Sequence, residues 1–462
     1  MRTDRPSRAD ARRSPRRIFL LPLGVVLLGI GFVGGFIAHR EHVVSGAALR
    51  RAGTFLHLTQ TAQDPEGHWN PIQPRTATRD LDPAQRRELR RLLSLGYAGG
   101  TLPAPQDTGV TVCDTARASH GLRLYVSGHA PTALLIDRDG RVLHRWRFDY
   151  PATWRAETAE EITQSGGAPS TGCWRRARLL PNGALLAIFE GRDLIKLDRS
   201  SQLIWRFADH CHHDLDIGPD GTIYVLTRAA GVVPEINERQ PVLVDYVSLL
   251  EPTGTERRRI PVLDAFLRSD YAACLDKMAR EGDLLHTNAV ELLDGSLAAM
   301  APAFARGNLL ISIRELDLLA VLDPAAERIV WALGGLWVKQ HDPHLLPGGT
   351  MLVFDNLGRA GHSKVIELDP LTQGIIWSYG RDPGQPLFSR TCGTAQRLPN
   401  GDTLIVESDN GRAIELLPDG TIVWEYLNPR RTGENGALIA AILDLELLPP
   451  ALDLPWLDES RN

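Results

Sequence analysis

Polar and apolar positions along the chain follow three successive patterns. Ile18 to Ala38 contains no charged residue. At 1.5 Å rise per residue, about 20 apolar residues span the ~30 Å hydrocarbon core of a bilayer, so this stretch predicts a membrane helix. Residues 42–58 and 82–95 then show helical spacing. In the second of these, Asp82-Pro83 supplies an N-cap and a first-turn proline, Leu89, Leu92 and Leu93 form an apolar stripe, and Gly96 is a stop. From about residue 120 the pattern becomes that of short strands and tight turns, and it repeats. The turns read Leu180-Pro181-Asn182-Gly183, Gly218-Pro219-Asp220-Gly221, Leu293-Asp294-Gly295, Leu346-Pro347-Gly348-Gly349 and Leu398-Pro399-Asn400-Gly401. Asn-Gly and Asp-Gly suit hairpins whose central residues need positive φ. A strand ending in tryptophan closes each unit, at Trp146, Trp205, Trp331, Trp377 and Trp424. Four strands in roughly 40–50 residues are the signature of a β-propeller blade. The pattern predicts an all-β, six-bladed propeller, with repeats at about 120–150, 174–210, 211–262, 284–338, 339–387 and 388–429. A strand from 105–115 or the C-terminal tail is expected to complete the first repeat, because a ring hides its edges only by closing. Residues 261–282 break the pattern; Leu263, Phe266, Leu267 and Leu275 among charges predict a helical insertion.

The expected organisation is a basic tail (1–17), a transmembrane anchor (18–38), a short helical neck (39–104), the propeller (105–435) and a C-terminal tail (436–462). Composition refines this. Hydrophobic residues at 43% and charged residues at 23% describe a globular protein. Lys+Arg 51 against Asp+Glu 56 gives a net charge of −5, which argues against a nucleic-acid binder. The apolar stretch exceeds the roughly 7–15 residues of a secretory signal and lacks an Ala-x-Ala cleavage site. Arg2, Arg5, Arg8, Arg12, Arg13, Arg16 and Arg17 precede it and favour the cytoplasmic side. A single-pass inner-membrane protein with a periplasmic or extracytoplasmic propeller is expected. That compartment permits disulfides. The five cysteines are odd in number and contain no Cys-x-x-Cys, which excludes a zinc ribbon or thioredoxin-like motif.

In a propeller the inner strand of each blade lines the channel, so residues six to nine positions before the turn glycine converge. Successive repeats place Arg178 or Trp174, His213, His286, His341 and Cys392-Gly393 there. A neutral imidazole is a nucleophile, and further imidazoles move protons near neutral pH. An arginine fork suits sulfate or phosphate oxygens. Arg314, expected on the next strand of the His286 repeat, is the first candidate and Arg306 the alternative. No carboxylate pair suited to glycoside cleavage is evident. Strand alternation points Asp214 and Asp342 away from the channel. It likewise splits His210-Cys211-His212-His213 between two faces, so that run is not one ligand set. No metal and no cofactor is expected. The alternative is a non-catalytic periplasmic propeller that binds a ligand or protein partner in its channel. That reading predicts three histidines that do not converge. The closing tryptophans speak for packing.

Several phrases resemble the bacterial arylsulfate sulfotransferase family over about residues 95–430. They are Ser94-Leu95-Gly96-Tyr97, Tyr125-Val126-Ser127-Gly128-His129, Leu135-Ile136-Asp137, His212-His213-Asp214-Leu215, His286-Thr287-Asn288, Ser312-Ile313-Arg314-Glu315-Leu316, Gln340-His341-Asp342, Phe354-Asp355-Asn356 and Gln396-Arg397-Leu398-Pro399-Asn400-Gly401. The resemblance implies a six-bladed propeller. It implies sulfuryl transfer from an aryl sulfate to a phenolic acceptor, without a nucleotide sulfate donor, through a sulfohistidine. His341, followed by Phe354-Asp355-Asn356, takes the nucleophile's place. His213 and His286 position sulfate or act as acid and base, and Arg314 holds sulfate oxygens. Asn288, Asn356, Trp337 and Arg306 are the expected substrate contacts. Family members also carry a β-rich N-terminal domain and a cleaved signal, where this chain has an anchor and a helical segment. The 261–282 insertion, just before His286, is expected to cap the channel.

Overall fold

Leucine-rich and β-branched runs between the glycine turns fold into antiparallel meanders. The structure is a computed structural model and describes residues 102–156 and 172–459, apart from 360, 361, 383, 433, 451 and 453. These residues belong to one unit, residues 66–462. The expected basic tail, the 18–38 membrane helix and nearly all of the neck lie outside them. Among the described residues no helix is long and apolar enough to cross a membrane.

The fold is all-β and propeller-like. One sheet joins Arg123–Ser127, Thr132–Ile136 and Val142–Arg147. Two more are Thr287–Leu292 to Arg328–Gly334 and His341–Leu345 to Ile375–Tyr379, each of four strands. A fourth runs from Thr394–Arg397 to Ile422–Leu427. These are four separate blades where the sequence predicts six. The remaining two repeats form a single eight-stranded sheet. Its cause is the strand Leu203–Ile217, which contains no Gly, Pro or Asn to interrupt it. Its Leu203–Ala208 end pairs with Arg192–Leu197, and its Cys211–Ile217 end pairs with Ile223–Val233. The outer strand of one repeat therefore runs on as the inner strand of the next.

Both chain ends complete sheets. Ile442–Leu447, within the stretch read as a tail, pairs with Arg123–Ser127 and is the innermost strand of the first blade. Gly109–Cys113 instead pairs with Ile422–Leu427 and adds a fifth strand to the last blade. Each exchange covers an edge that would otherwise expose unpaired N–H and C=O groups.

Turn glycines hold positive φ, +82° at Gly183 and +83° at Gly349. Four closing tryptophans clamp onto turns of a following repeat through the indole N–H. Trp146 donates to Gly183 O at 3.1 Å, Trp205 to Pro252 O at 3.1 Å, Trp377 to Pro418 O at 2.8 Å and Trp424 to Arg138 O at 2.8 Å. These residues pack blades, as the sequence suggested. Helix Val262–Leu267 and the 3-10 turn Ala272–Lys277 make up the 261–282 insertion. It is not a free cap. Val262, Ala265 and Phe266 are buried in an apolar cluster with Leu226, Val242 and Ile311. The segment then returns as Gly282–Asp283, parallel to Asn237–Leu250. All five cysteines are free thiols.

Candidate active site

Residues at the starts of the inner strands meet at one end of the channel. The backbone there is unusual. His213, His286, Asp342 and Cys392 hold φ of +53°, +51°, +50° and +55°, a region that non-glycine residues seldom occupy and that clusters at functional sites. Register shifts accompany them. Cys211 and Leu215 pair with Thr227 and Val225, so the strand bulges at His212-His213-Asp214. Similar shifts lie between Thr287 and Ala289, and between His341 and His344. Alternation fails at these points, and two sequence expectations fail with it. His212 and His213 do not diverge; their Nδ1 atoms are 2.8 Å apart. Asp214 and Asp342 do not point away; both reach the buried Arg176 at 2.9 Å.

The histidine trio converges. The His213 and His286 rings lie 4.9 Å apart, edge to face. His341 is buried, and the charges of Arg314, Arg175 and His286 reach it. His286 and Arg314 are part-exposed, whereas His341 is buried. Arg314 sits just past strand Leu309–Ile313, at the start of the 3-10 turn Arg314–Leu316, and pairs with Glu315. Glu315 in turn holds Lys339 at 2.8 Å.

His341 has one nitrogen committed and one not. Its Nδ1 lies 2.8 Å from Asn356 Oδ1 and 3.1 Å from Lys339 O. The Asn356 amide donates to Ser389 O at 2.8 Å and Cys392 O at 2.7 Å, which fixes Oδ1 as the atom facing the imidazole. Both neighbours of Nδ1 are then acceptors, so Nδ1 carries the hydrogen. Nε2 is left with its lone pair, buried and without a hydrogen-bond partner. Burial first, then Arg314 and Arg175, push the His341 pKa well below that of an ordinary histidine. Phe354-Asp355-Asn356 has a divided role. Asn356 holds the imidazole, and Asp355 accepts from Val338 N at 2.9 Å, fixing the approach to His341. Gly393 is required beside them, because a Cβ there would stand 2.6 Å from the Phe354 ring.

Asn288 donates to Gln340 O at 2.8 Å, next to His341, and its Oδ1 is buried without a partner. Two expected contacts lie elsewhere. Trp337, in the loop between strands Arg328–Gly334 and His341–Leu345, is buried in an apolar cluster with Leu293, Leu297 and Phe304. Arg306 is exposed and packs on Gly295, at the opposite end of strand Thr287–Leu292 from His286.

The sequence reading missed several charged residues here. Arg175, Glu190, Arg228 and Asp245 are buried around His212 and His213. Asp283 accepts from His286 Nδ1 at 2.6 Å. Burial alone would raise this carboxyl, but His286 and then Arg228 hold it at about 2. Its placement follows from the insertion, which delivers Gly282–Asp283 to the sheet edge. The only sequence signal was an acidic residue three positions before a candidate histidine.

A model of the arylsulfotransferase (ASST) family matches residues 176–429, more than half of the chain. The chain belongs to the arylsulfotransferase family. At the level of the family, membership implies an enzyme of the sulfotransferase class, with aryl sulfates and phenols as substrates. No curated protein sequence matches the chain. Among solved structures, it is similar to a protein of unknown function from Bacteroides caccae, with 13% identity over 71% of this chain and 98% of that one and a TM-score of 0.46. It is also similar to a streptogramin B lyase, with 13% identity, 75% and 95% coverage and a TM-score of 0.40. The WD40 β-propeller domain of Doa1 shows 11% identity, 76% and 95% coverage and a TM-score of 0.39.

Proposed function

We propose that this protein moves a sulfuryl group from a phenolic sulfate ester to a phenolic acceptor through a sulfohistidine at His341, without a nucleotide donor. The observation that carries the reading is the buried, unpartnered Nε2 of an imidazole whose Nδ1–H is tied to two acceptors. In the first half-reaction the Nε2 lone pair attacks sulfur in line with the ester oxygen. The S–O bond to the ring breaks, and the phenolate leaves with its electron pair. A phenol has a pKa near 10, so this leaving group needs little assistance. The sulfated ring gains positive charge, which Asn356 Oδ1 and Lys339 O stabilise across Nδ1–H. Arg314 holds sulfate oxygens, with His213 beside them, and stabilises charge in the transition state. In the second half-reaction the acceptor oxygen attacks sulfur, the S–N bond returns its electrons to Nε2, and the acceptor proton passes to His286. Asp283, on His286 Nδ1, orients that ring for the task. The non-catalytic alternative expected histidines that stay apart, and 4.9 Å between His213 and His286 speaks against it.

The same proposal includes six blades, counting the eight-stranded sheet as two, because its halves begin inner strands at Arg176 and near Cys211. It also includes an inner-membrane anchor at 18–38 with the catalytic ring outside, supported by the uncharged stretch and its arginine flank. The test is to quench the full chain during turnover of a chromogenic aryl sulfate and map the adduct by mass spectrometry at neutral to basic pH. Sulfate on the peptide carrying His341 is expected. Turnover with label elsewhere, or with none, removes His341 from the mechanism.

A pH prediction follows from the lowered His341 pKa. A lowered pKa keeps the imidazole neutral, and so nucleophilic, further into acid. Single-turnover release of phenol, read after quenching into base, should therefore stay level from pH 8 to below 6. A fall centred on the ordinary histidine value of about 6.5 would contradict the buried-nucleophile assignment.

A further inference from the structure

We infer that Glu190, His212 and His213 form a site for one divalent ion of the zinc class, which competes with the sulfate ester. All three residues are buried, and one ligand atom from each lies within 4.8 Å of the others. The two Nδ1 atoms are 2.8 Å apart, and Glu190 Oε1 is 3.6 Å from His213 Nδ1. An ion at ~2.0–2.2 Å from such atoms subtends them at roughly 80–130°, a spread that brackets the tetrahedral angle zinc prefers. Two imidazoles and a carboxylate are also the donor types that zinc and its neighbours prefer.

Each ligand is prepared in a second way. Glu190 Oε2 accepts the His213 backbone N–H at 2.9 Å, which fixes the carboxylate. Its Oε1 is buried and has no hydrogen-bond partner. Arg228 Nη2 stands 3.5 Å from that oxygen and itself lacks a hydrogen bond, so the carboxylate holds it loosely. His212 Nε2 is buried without a hydrogen-bond partner and lies 3.7 Å from Asp245 Oδ1, so a small movement of the ring brings it to the carboxylate in the pairing that orients a ligating histidine. The facing Nδ1 atoms share one hydrogen in the metal-free protein. On binding, that hydrogen moves to Nε2 of its own ring, and both Nδ1 lone pairs turn to the ion. On His212 the relocated N–H points to Asp245. The left-handed backbone at His213 makes all this possible, because a regular strand would send the two rings to opposite faces.

The competition rests on the proposed reaction, which places His213 on the sulfate. The ion takes the Nδ1 edge of that ring and adds a ligand sphere where the ester sits. The test titrates the chelator-stripped full chain with zinc against a chromogenic chelator, and with cobalt(II) followed by its visible absorption. One equivalent is expected to bind. His212→Ala and Glu190→Gln should each weaken binding by more than tenfold, and Asp245→Asn by about 10–100-fold. His341→Asn should bind as wild type does. No saturable binding, or unchanged binding in His212→Ala and Glu190→Gln, overturns the site. Zinc that binds without lowering turnover overturns the competition. Absence of sulfuryl transfer in the stripped protein overturns the reaction instead, and leaves the metal titration standing.

Discussion

His341→Asn is expected to lower turnover of an aryl sulfate by roughly 10⁴-fold or more, the scale seen when a covalent nucleophile is removed. Alanine would serve as well for chemistry, but it strips Asn356 Oδ1 and Lys339 O of their donor. A buried acceptor left without a partner costs about 1–3 kcal/mol. Asparagine avoids that confusion. Its amide nitrogen falls near the position of Nδ1 and keeps a donor for Asn356, while nothing replaces Nε2. The variant should melt close to wild type and show no sulfated peptide. His286→Gln should behave differently. General acid–base catalysis contributes about 10²–10⁴-fold, so the second half-reaction slows while the label on His341 persists. The contrast separates a nucleophile from a proton carrier. Turnover by His341→Asn within tenfold of wild type would sink the assignment.

The sequence made the repeat legible because its turns are chemically distinctive. A glycine turn and a closing tryptophan recur along the chain, and four of the five tryptophans clamp a turn of a following repeat. It also singles out His213, His286 and His341, which stand eight or nine residues before their turn glycines and gather at one end of the inner strands. Orientation was the weak point. Alternation was applied to His212-His213-Asp214 and to His341-Asp342, where bulges and left-handed residues break it. No residue type there advertises the break, because histidine and aspartate are not glycine. Continuity was misjudged between Trp205 and His213 for a related reason. The repeat pattern places a blade boundary near residue 210, yet the residues between them contain no Gly, Pro or Asn, and the strand runs through. Asp283 is not legible because it acts on a partner it meets only through the fold, whereas the C-terminal tail is one of the two segments expected to complete the first repeat, and Ile442–Leu447 does so. Asp283 reaches His286 only after the insertion has packed against the sheet. Ile442–Leu447 finds its edge only when the ring closes.

Arg176→Met should destabilise the fold by about 3–5 kcal/mol at pH 7, as expected when one member of a buried ionic cluster is removed. Arg176 is nearly solvent-free and contacts three carboxylates, Asp214 at 2.9 Å, Asp342 at 2.9 Å and Asp444 at 2.7 Å. These come from the eight-stranded sheet, the His341 blade and the closing C-terminal strand. Asp214 and Asp342 also accept backbone N–H groups of the next sheets, Val290 N at 3.1 Å and Ala395 N at 3.0 Å. The guanidinium therefore joins sheets at the axis, one residue along the chain from the histidines in each case. Without it, the buried carboxylates repel one another, and only Arg178 and His344 remain to offset them. The pH dependence gives the diagnostic sign. Burial alone would raise Asp342, but His344 and Arg176 depress it well below the usual carboxylate range. Its contribution in the wild type is thus present above the unfolded value of about 3.9 and is lost as pH falls through the folded value. Removing Arg176 lifts that folded value, and lifts that of Asp214, which burial already raises. Protonation then relieves the variant before it harms the wild type, so the gap between the two should narrow as pH falls from 7 toward 4. Urea unfolding of both proteins at several pH values measures this directly. A gap that stays constant with pH would show that the loss comes from packing around a missing side chain and not from the uncompensated carboxylates. Charge should also decide which partner matters. Adding Asp444→Asn to Arg176→Met should recover part of the stability, because it removes one of the three buried carboxylates that Arg176 no longer neutralises.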